Sequence, residues 1–418
     1  MPGFHRSPEL IPPTRALAQS RADERVARTQ PPVSEIAVPY RDPVEGFAGY
    51  LTFDGRDHRL AAGGFRVQRG LTAGRVSDLA RAMTLKQRVL GLAVDGATCG
   101  IDYGPRAPGK QKAMRRFLRF LRPYLLERLS MGPDMGTTWS EIEAAARAED
   151  IPSVKIAVAA AQGLSPQDFQ RRIRLLDVAV DGLTLAQRRA GHGLAHAAVG
   201  AIEWAGHRSR PARVGLQGFG TLGRAAALSF AQAGLRLTAV ADEHGCLLCP
   251  AGLDVASLLS TAPGTPVARH GPAQSRTAPR EALFEAPVDL LVLAACEEAM
   301  SPEQVGQLPS SAQTVVVGAN LGLALAVEEL LEQRGTVVVP DFVGGCGGPA
   351  SMDALFGPSA CPSPNEFLDR LSQRMRGLVK QVLDLAARHG ICSRAAALVL
   401  CDERRPYPQG RPYGQWLP

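Results

Sequence analysis

The 418-residue sequence has little of what marks membrane, secreted or disulfide-stapled proteins. It contains no run of 18 apolar residues, so no membrane-spanning helix is predicted. Its first residues lack the apolar segment of a secretory leader, which predicts a cytoplasmic protein. Eight cysteines are too few for a disulfide scaffold in a chain this long and are typical of reduced thiols. Hydrophobic residues make up 45% of the chain, enough for a large core.

The net charge of +7 is concentrated in residues 104–128. This stretch pairs one acidic residue, Glu127, with eight basic ones: Arg106, Lys110, Lys112, Arg115, Arg116, Arg119, Arg122 and Arg128. It is either a surface for nucleic acid or another anionic partner, or a solvated helix face above an apolar stripe. The stripe consists of Phe117, Leu118, Leu121 and Leu125. The solvated face is favoured, because aromatic residues are scarce and no nucleic-acid-binding motif is present.

The chain divides into segments of different character. Residues 1–33 are predicted to form a flexible arm and residues 403–418 a tail rich in proline, glycine and arginine. Residues 34–185 alternate helical stretches with β-like runs at Glu35–Tyr40, Gly46–Phe53 and Val89–Val94.

Residues 186–350 are predicted to form a second, Rossmann-like domain, since strands and helices alternate regularly from 212 to 340, which predicts a parallel sheet buried on both faces. The predicted helices include Thr221–Ala233 and Ala324–Arg334, and the predicted strands are Arg213–Gln217, Leu235–Ala241, Val288–Ala294, Thr314–Val317 and Thr336–Val339.

A capping box at Ser363–Glu366, with Pro364 in the first helical position, predicts the start of a late helix. Gly390 closes it. Because this helix follows the second region, we expect residues 351–402 to pack back onto the first domain.

The strongest local motif is a G-x-G-x-x-G turn formed by Gly218, Gly220 and Gly223, between a predicted strand and a predicted helix. Such a turn binds a pyrophosphate at the helix N-terminus. The next strand ends at Asp242, whose carboxylate can accept hydrogen bonds from ribose hydroxyls and would repel a 2′-phosphate. NAD(H) is therefore favoured over NADP(H), with a nucleotide-free Rossmann-like domain as the alternative. Predicted cofactor contacts also include Phe219, Thr221, Leu222 and the strand end at Ala294.

Several segments, in order from about residue 46 to 352, resemble the glutamate/leucine/phenylalanine/valine dehydrogenase family. The similar blocks are Gly63-Gly64-Phe65-Arg66, Met83-Thr84-Leu85-Lys86, Asp95–Ile101, Pro133–Thr137, Asp181–Thr184, Ala190–Gly193, Val317–Asn320 and Val339–Gly348.

The resemblance implies an α/β substrate and oligomerisation domain, a Rossmann domain and a cleft between them. It implies oxidation of an amino acid, or reduction of an oxo acid or imine, at the C–N bond. Lys86 would bind the substrate carboxylate beside Gly64, Asp134 would shuttle protons, and Asn320 would contact the cofactor. Members of the family usually form closed homo-oligomers.

The departures from the family pattern fall in the cleft. Thr98 stands where the family has its catalytic lysine, and Ala190, Gly345 and Met352 replace polar residues. Threonine has neither charge nor useful basicity, so deamination should be slow, whereas a preformed imine needs only a hydride, a carboxylate anchor and a proton donor. Gly345 and Met352 would line an apolar pocket for a non-polar or bulky substrate. A catalytically silent dehydrogenase-like binding protein is the alternative.

Three further features could be functional but are also explained by purely structural roles. Cys246 and Cys249 have metal-ligand spacing in a predicted turn after the second Rossmann strand, but no partner motif accompanies them. His192 and His196 lie one helical turn apart, without a third ligand. Glu297 follows the strand end at Ala294, and the sequence assigns it no role.

Overall fold

The structure is a computed structural model that describes residues 35–206, 211–269, 271, 274–404, 406 and 409–414. These residues form two α/β domains joined by a long central helix. The predicted arm, residues 1–33, lies outside the described residues. Among the described residues, no helix is both long and apolar enough to cross a membrane.

The first domain is built on a five-stranded sheet of order β1-β2-β4-β3-β5. Strands β1, β2 and β4 pair antiparallel, whereas β3 lies parallel to both β4 and β5. Its elements are β1 (Glu35–Arg41), β2 (Ala48–Asp54), β3 (Ala61–Gln68), α1 (Ala73–Val89), β4 (Asp95–Asp102), α2 (Lys110–Glu127), β5 (Leu129–Pro133), α3 (Trp139–Arg147), α4 (Ala157–Gln162), α5 (Pro166–Leu175) and a short hairpin of β6 (Ala179–Val180) and β7 (Leu183–Thr184).

The basic stretch forms helix α2, and its apolar stripe at Phe117, Leu118, Leu121 and Leu125 is fully buried. Many of its cations pair with acidic residues of the same domain. Arg115 and Arg119 both contact Glu149 at 2.8 and 2.7 Å, and Arg116 contacts Asp42 at 2.7 Å. These pairs support the solvated helix face and leave less free charge for an anionic partner.

The prediction of a strand at Val89–Val94 is wrong. Val89 ends helix α1, and the chain turns through Gly91, which has a φ of +67°, before β4 begins at Asp95. The run is apolar because Val89, Leu90, Leu92, Ala93 and Val94 are all buried at the end of the helix. A short apolar run does not distinguish a strand from a buried turn by its periodicity.

The second domain is built on a seven-stranded sheet of order β11-β10-β9-β8-β12-β13-β14. Five neighbouring strands of this sheet, β9, β8, β12, β13 and β14, are parallel, which confirms the predicted parallel sheet. Its elements are β8 (Arg213–Gln217), α7 (Thr221–Gln232), β9 (Arg236–Asp242), β10 (Gly245–Leu248), α8 (Val255–Ser260), β11 (Arg276–Ala278), β12 (Leu290–Leu293), α9 (Pro302–Gln307), β13 (Thr314–Val317), α10 (Leu325–Gln333) and β14 (Val337–Val339), with short 3₁₀ turns at Val267–Arg269 and Arg280–Leu283.

The prediction that the two cysteines with metal-ligand spacing lie in a turn is wrong. Cys246 belongs to strand β10, which pairs antiparallel with β9, and Cys249 follows the end of that strand. Both side chains are buried in apolar surroundings. The described residues contain no group of three or more histidine, cysteine, aspartate or glutamate side chains placed to hold a metal.

The domains are joined by helix α6 (Leu185–Trp204) and by the C-terminal elements α11 (Asp341–Gly344), α12 (Gly347–Phe356), α13 (Pro364–His389) and α14 (Ser393–Glu403). Helix α13 has the predicted capping box at Ser363 and ends at Gly390 in the left-handed conformation. It packs along α6, and α14 packs on α1, so the C-terminal helices return to the first domain as predicted. Part of the tail is also packed, since Tyr413 is buried beside Phe356.

His192 and His196 lie in this joint and are held neutral. Nδ1 of His196 accepts a hydrogen bond from Nε of Arg376, and His192 contacts Ser229 and Ser372. Burial lowers the pKa of His192 to about 4 and that of His196 to about 3, and neighbouring cations add to both shifts.

We predict that the free energy of unfolding decreases as the pH falls from 6.5 to 4. Histidines in the unfolded chain bind a proton near pH 6.5, whereas the folded pair stays neutral to lower pH. The free energy of unfolding should therefore decrease by up to about 1.4 kcal/mol per pH unit for each histidine. Urea unfolding at pH 7, 6 and 5 measures it. His196→Gln should flatten the slope, and His389→Gln, at the exposed end of α13, should not. An equal slope in all three proteins would contradict this prediction.

Candidate active site between the two domains

The glycine-rich turn leaves its helix N-terminus open. Gly218 has a φ of +95°, and a Cβ on Gly223 would lie 1.9 Å from the carbonyl oxygen of Gly218, so strand and helix approach closely here. Gly220 caps helix α7, and a Cβ there would meet no atom within 4 Å. The backbone amides of Thr221 and Leu222 therefore begin a helix whose N-terminus is accessible, the arrangement that binds phosphate groups. Phe219 is buried, with the guanidinium of Arg224 above its ring.

Asp242 lies at the carboxyl end of β9, as predicted, and its carboxylate is half-buried. One oxygen accepts hydrogen bonds from the backbone amides of His244 and Gly245 at 2.8 and 3.1 Å, and the other accepts one from Val267 at 2.7 Å. These bonds fix the orientation of the carboxylate. The second oxygen retains a lone pair for a ribose hydroxyl. Ala294 follows the end of β12, on the same edge of the sheet.

Lys86 projects from α1 across the cleft. Its ammonium donates to the side-chain oxygen of Asn320 and, at 3.0 Å, to the carbonyl oxygen of Gly345, both in the second half of the chain. A Cβ on Gly345 would lie 3.0 Å from this ammonium and 2.6 Å from the carbonyl oxygen of Gly318, so the contact requires glycine at this position. Burial lowers the pKa of Lys86, and nearby Asp341 opposes that shift.

Thr98 lies on the floor of the cleft, in β4, directly beside Gly64 of β3. The threonine is buried, and its hydroxyl donates to the carbonyl oxygen of Ala97 at 2.8 Å. It therefore offers neither charge nor a proton acceptor of useful basicity. Asp134 follows β5 on the same side, and a Cβ on Gly64 would lie 2.7 Å from the Cβ of Asp134.

A chain of ion pairs that the sequence did not reveal connects Asp134 to the second domain. Arg66 donates to Asp134 at 2.9 Å and to Glu297 at 2.8 Å, and Glu297 also contacts Arg75 at 3.2 Å. Burial would lower the pKa of Arg66, but the two carboxylates raise it overall. The position of Glu297 directly after a Rossmann strand was the one sequence feature that pointed to a place in the cleft. Its partner, 231 residues earlier, could not be read from the sequence.

Met352 is buried in helix α12 and has an apolar side chain. The preceding residue, Ser351, makes a polar contact instead. The hydroxyl of Ser351 accepts a hydrogen bond from Arg189 at 3.0 Å. Sequence reasoning did not identify Ser351, Arg189 or the buried Lys155 as cleft residues. Arg189 directly precedes Ala190, one of the noted departures from the family pattern.

Two family models cover most of the chain. The model described as glutamate/leucine/phenylalanine/valine dehydrogenase matches residues 182–404, and the model of the dimerisation domain of these enzymes matches residues 33–149. The chain belongs to the glutamate/leucine/phenylalanine/valine dehydrogenase family. This family comprises oxidoreductases that act on the CH–NH₂ group of amino acids.

Individual relatives of this dehydrogenase homologue agree with that assignment. Glutamate dehydrogenase of Thermotoga maritima is 27% identical over 377 residues, which cover 87% of this chain and 86% of the relative. An NADP-specific glutamate dehydrogenase of Halobacterium salinarum is 26% identical and covers 73% of this chain and 71% of its own length. A hetero-hexameric glutamate dehydrogenase of Thermus thermophilus, with leucine bound, superimposes with a TM-score of 0.73 at 27% identity, covering 96% and 97% of the two chains.

We predict that Arg66→Met destabilises the dehydrogenase homologue by about 3–5 kcal/mol, because it leaves the largely buried carboxylate of Asp134 without its ion-pair partner and leaves Glu297 with Arg75 alone. Urea unfolding followed by fluorescence measures the change. Lys380→Ala, which breaks an exposed pair with Asp384, is the control and should leave the midpoint almost unchanged. Equal effects of the two substitutions would show that the Arg66 cluster adds no particular stability.

Proposed function

We propose that this chain is an NAD(H)-binding member of the family whose chemistry at the amino-acid α-carbon is weakened by the loss of the catalytic lysine. The observation that carries the proposal is Thr98, a buried threonine whose hydroxyl is bonded to its own strand where the resemblance implies an amine. General acid–base assistance is worth on the order of 10²–10⁴-fold, so ordinary L-amino acids should be poor substrates.

The remaining groups suffice for a simpler reaction. Asp134 can donate a proton, and Lys86 can bind a carboxylate once Asn320 and Gly345 release its ammonium. Reduction of a preformed imine needs no amine base, only these two groups and the hydride that a bound nicotinamide supplies. A carboxylate-bearing imine is therefore the substrate class we propose for any redox activity that persists.

NAD(H) is proposed as the cofactor because the turn at Gly220 has room for a pyrophosphate and because Asp242 carries a negative charge where NADP(H) has its 2′-phosphate. Related glutamate dehydrogenases include NADP-specific ones, so the carboxylate at residue 242 is the feature that argues for NAD(H).

A second candidate function is a catalytically silent subunit. The polar groups of the cleft bond to one another: Lys86 contacts Asn320, and Arg66 bridges Asp134 and Glu297. A cleft whose charged groups already pair with one another supports a role in assembly rather than turnover. The Thermus thermophilus relative is a hetero-hexamer, which supports a closed oligomer formed with further copies or with a related chain.

We predict that Gly220→Val abolishes NADH binding, because its side chain would enter the space above the helix N-terminus. Calorimetry should show at least tenfold tighter binding of NADH than of NADPH to the unmodified protein. Gly377→Val, at another uncrowded glycine, is the matched control and should bind NADH normally. Unchanged affinity in Gly220→Val would remove this turn as the cofactor site, and equal affinities for the two cofactors would refute the role of Asp242.

We predict that Thr98→Lys raises the rate of NAD⁺-dependent deamination of L-amino acids by about 100-fold or more, since it restores an amine beside Asp134. Initial rates of NADH formation measure the gain. Asp134→Asn in the same background should abolish it. Rapid deamination by the unmodified protein would mean that another group replaces the lysine. No gain from Thr98→Lys, together with normal NADH binding, would favour the silent subunit.

A further inference from the structure

We propose that Glu297 is a latch that holds the cleft closed before any ligand binds and, together with Asn320, keeps Lys86 away from solvent. Glu297 acts by bridging from the second domain to two arginines of the first. This inference goes beyond the proposed function, because it concerns the protein without cofactor or substrate. It also assigns a role to a carboxylate that the proposed reaction does not use.

The carboxylate of Glu297 lies between two cations of the first domain. One oxygen accepts a hydrogen bond from Arg66 at 2.8 Å, and the other lies 3.2 Å from Nη1 of Arg75. Arg66 belongs to β3 and Arg75 to the first turn of α1, so one residue of the second domain is tied to two separate elements of the first. The side chain of Arg66 is 2% exposed and that of Glu297 is 19% exposed. Attraction between the two charges is therefore stronger than at an open surface, because little water surrounds them.

Lys86 is covered by a second contact across the cleft. Its ammonium donates to the side-chain oxygen of Asn320, and Lys86 is 4% exposed. Asn320 belongs to the loop that follows β13, whereas Glu297 belongs to the loop that follows β12. These strands are adjacent and parallel, so the two loops lie side by side at one edge of the sheet.

The backbone joins the two loops at strained positions. The amide of Glu298 donates to the carbonyl oxygen of Leu321 at 3.0 Å. Both residues are in the left-handed region, with φ values of +47° and +52°. Residues other than glycine keep such a conformation only where surrounding contacts hold it, commonly at functional or switching segments. The strained residues directly follow Glu297 and Asn320, the two residues that cross the cleft.

Further hydrogen bonds anchor the joined loops within the second domain. The amide of Ala299 donates to the carbonyl oxygen of Gly322 at 2.8 Å, and the side chain of Gln217 donates to the carbonyl oxygen of Ala299 at 2.7 Å. The amide of Leu321 donates to the carboxylate of Asp341 at 2.9 Å. These bonds hold each loop to the other and to its domain, so the two crossing side chains separate from the first domain together.

The charges of the latch remain satisfied when it opens. Arg66 keeps its bond to Asp134 at 2.9 Å after Glu297 leaves. Arg75 is already 39% exposed and gains water, as does the released carboxylate. Closed and open arrangements therefore both satisfy these groups. Added salt favours the open one, because ions shield charges that have moved into solvent.

The test is brief acetylation of the full-length, ligand-free protein with acetic anhydride, followed by mass spectrometry of the lysine peptides. Lys86 is labelled from the open cleft, so its labelling rate follows the open population when closing is fast. Lys112, exposed on α2, is the internal reference. We expect Glu297→Gln to raise the rate at Lys86 relative to Lys112 on the order of tenfold or more. The substitution keeps the side-chain size and leaves Arg66 paired with Asp134.

Glu243→Gln is the matched control. Glu243 also pairs across the domains, with Arg106 at 3.1 Å, but the two side chains are 63% and 87% exposed. Its loss should change the labelling of Lys86 by less than about twofold, because exposed ion pairs contribute little.

Ionic strength provides a readout that a purely structural role of Glu297 would not affect. Raising sodium chloride from about 50 to about 500 mM should speed the labelling of Lys86 severalfold in the unmodified protein. The same change should have no effect in Glu297→Gln, where the latch charge is absent.

Labelling of Lys86 as fast as that of Lys112 in the unmodified protein would mean that the cleft stands open, and would overturn the proposal. Equal labelling of Lys86 in Glu297→Gln and Glu243→Gln, or salt independence of the unmodified protein, would also overturn it. If Glu297→Gln unfolds at a lower urea concentration than Glu243→Gln, Arg75→Gln decides, since it removes only the more exposed half of the latch. Unchanged labelling of Lys86 in that variant would overturn the proposal, and faster labelling with a normal urea midpoint would support it.

These outcomes are separable from those of the proposed function. Labelling of Lys86 requires neither NADH binding nor turnover, so the latch can be confirmed in a protein that binds no nucleotide. Conversely, NADH binding and a gain of deamination in Thr98→Lys leave the latch to be judged by the labelling of Lys86 alone.

Discussion

The close approach of helix α6 to its neighbours is the constraint on which the rest of the structure depends. A Cβ on Gly191 would lie 2.3 Å from the carbonyl oxygen of Leu222 in α7, and one on Gly193 would lie 2.5 Å from the Cα of Gly347 in α12. The missing side chains let one helix contact both the nucleotide-turn helix and the C-terminal helices. That contact brings the carboxyl ends of the parallel strands of the second sheet to the cleft, where ligands bind in open α/β folds.

Once the sheets face each other, the charges at their edges must be compensated inside the cleft, since little water is available there. The charge of Lys86 is stabilised by hydrogen bonds to two neutral groups, the side-chain amide oxygen of Asn320 and the backbone carbonyl oxygen of Gly345. Arg66 uses two carboxylates, one from each domain. Arg189 donates to Gly348 and Ser351 through Nη1, but its Nε is buried without a partner among the described residues.

Local patterns predicted the elements that depend on local physics. Strands β8, β9, β12, β13 and β14, the turn at Gly218 and the capping box at Ser363 follow from side-chain periodicity, backbone freedom and hydrogen bonding within a few residues. The run Val89–Val94 failed because burial, rather than strand pairing, makes it apolar. The pairing of Arg66 with Glu297 depends on tertiary contacts. Motif resemblance predicted roles for Lys86, Thr98 and Asp134, but gave no information on the side chains and backbone groups that they contact in the structure.

The electrostatics of the floor offer a physical reason why Thr98 is tolerated. A lysine at residue 98 would add an ammonium to a cleft that already contains Lys86, Arg66, Lys155 and Arg189. At an effective dielectric constant of 20, two like charges about 8 Å apart repel by about 2 kcal/mol, and the nearby carboxylates of Asp134 and Glu297 are already paired with Arg66, so an added cation is costly. Threonine removes that repulsion and keeps a hydrogen bond within the sheet. Under the proposed function, Lys86 would still bind a carboxylate without an amine placed at the α-carbon of the ligand. Binding and turnover would then depend on different residues, and loss of turnover need not remove binding.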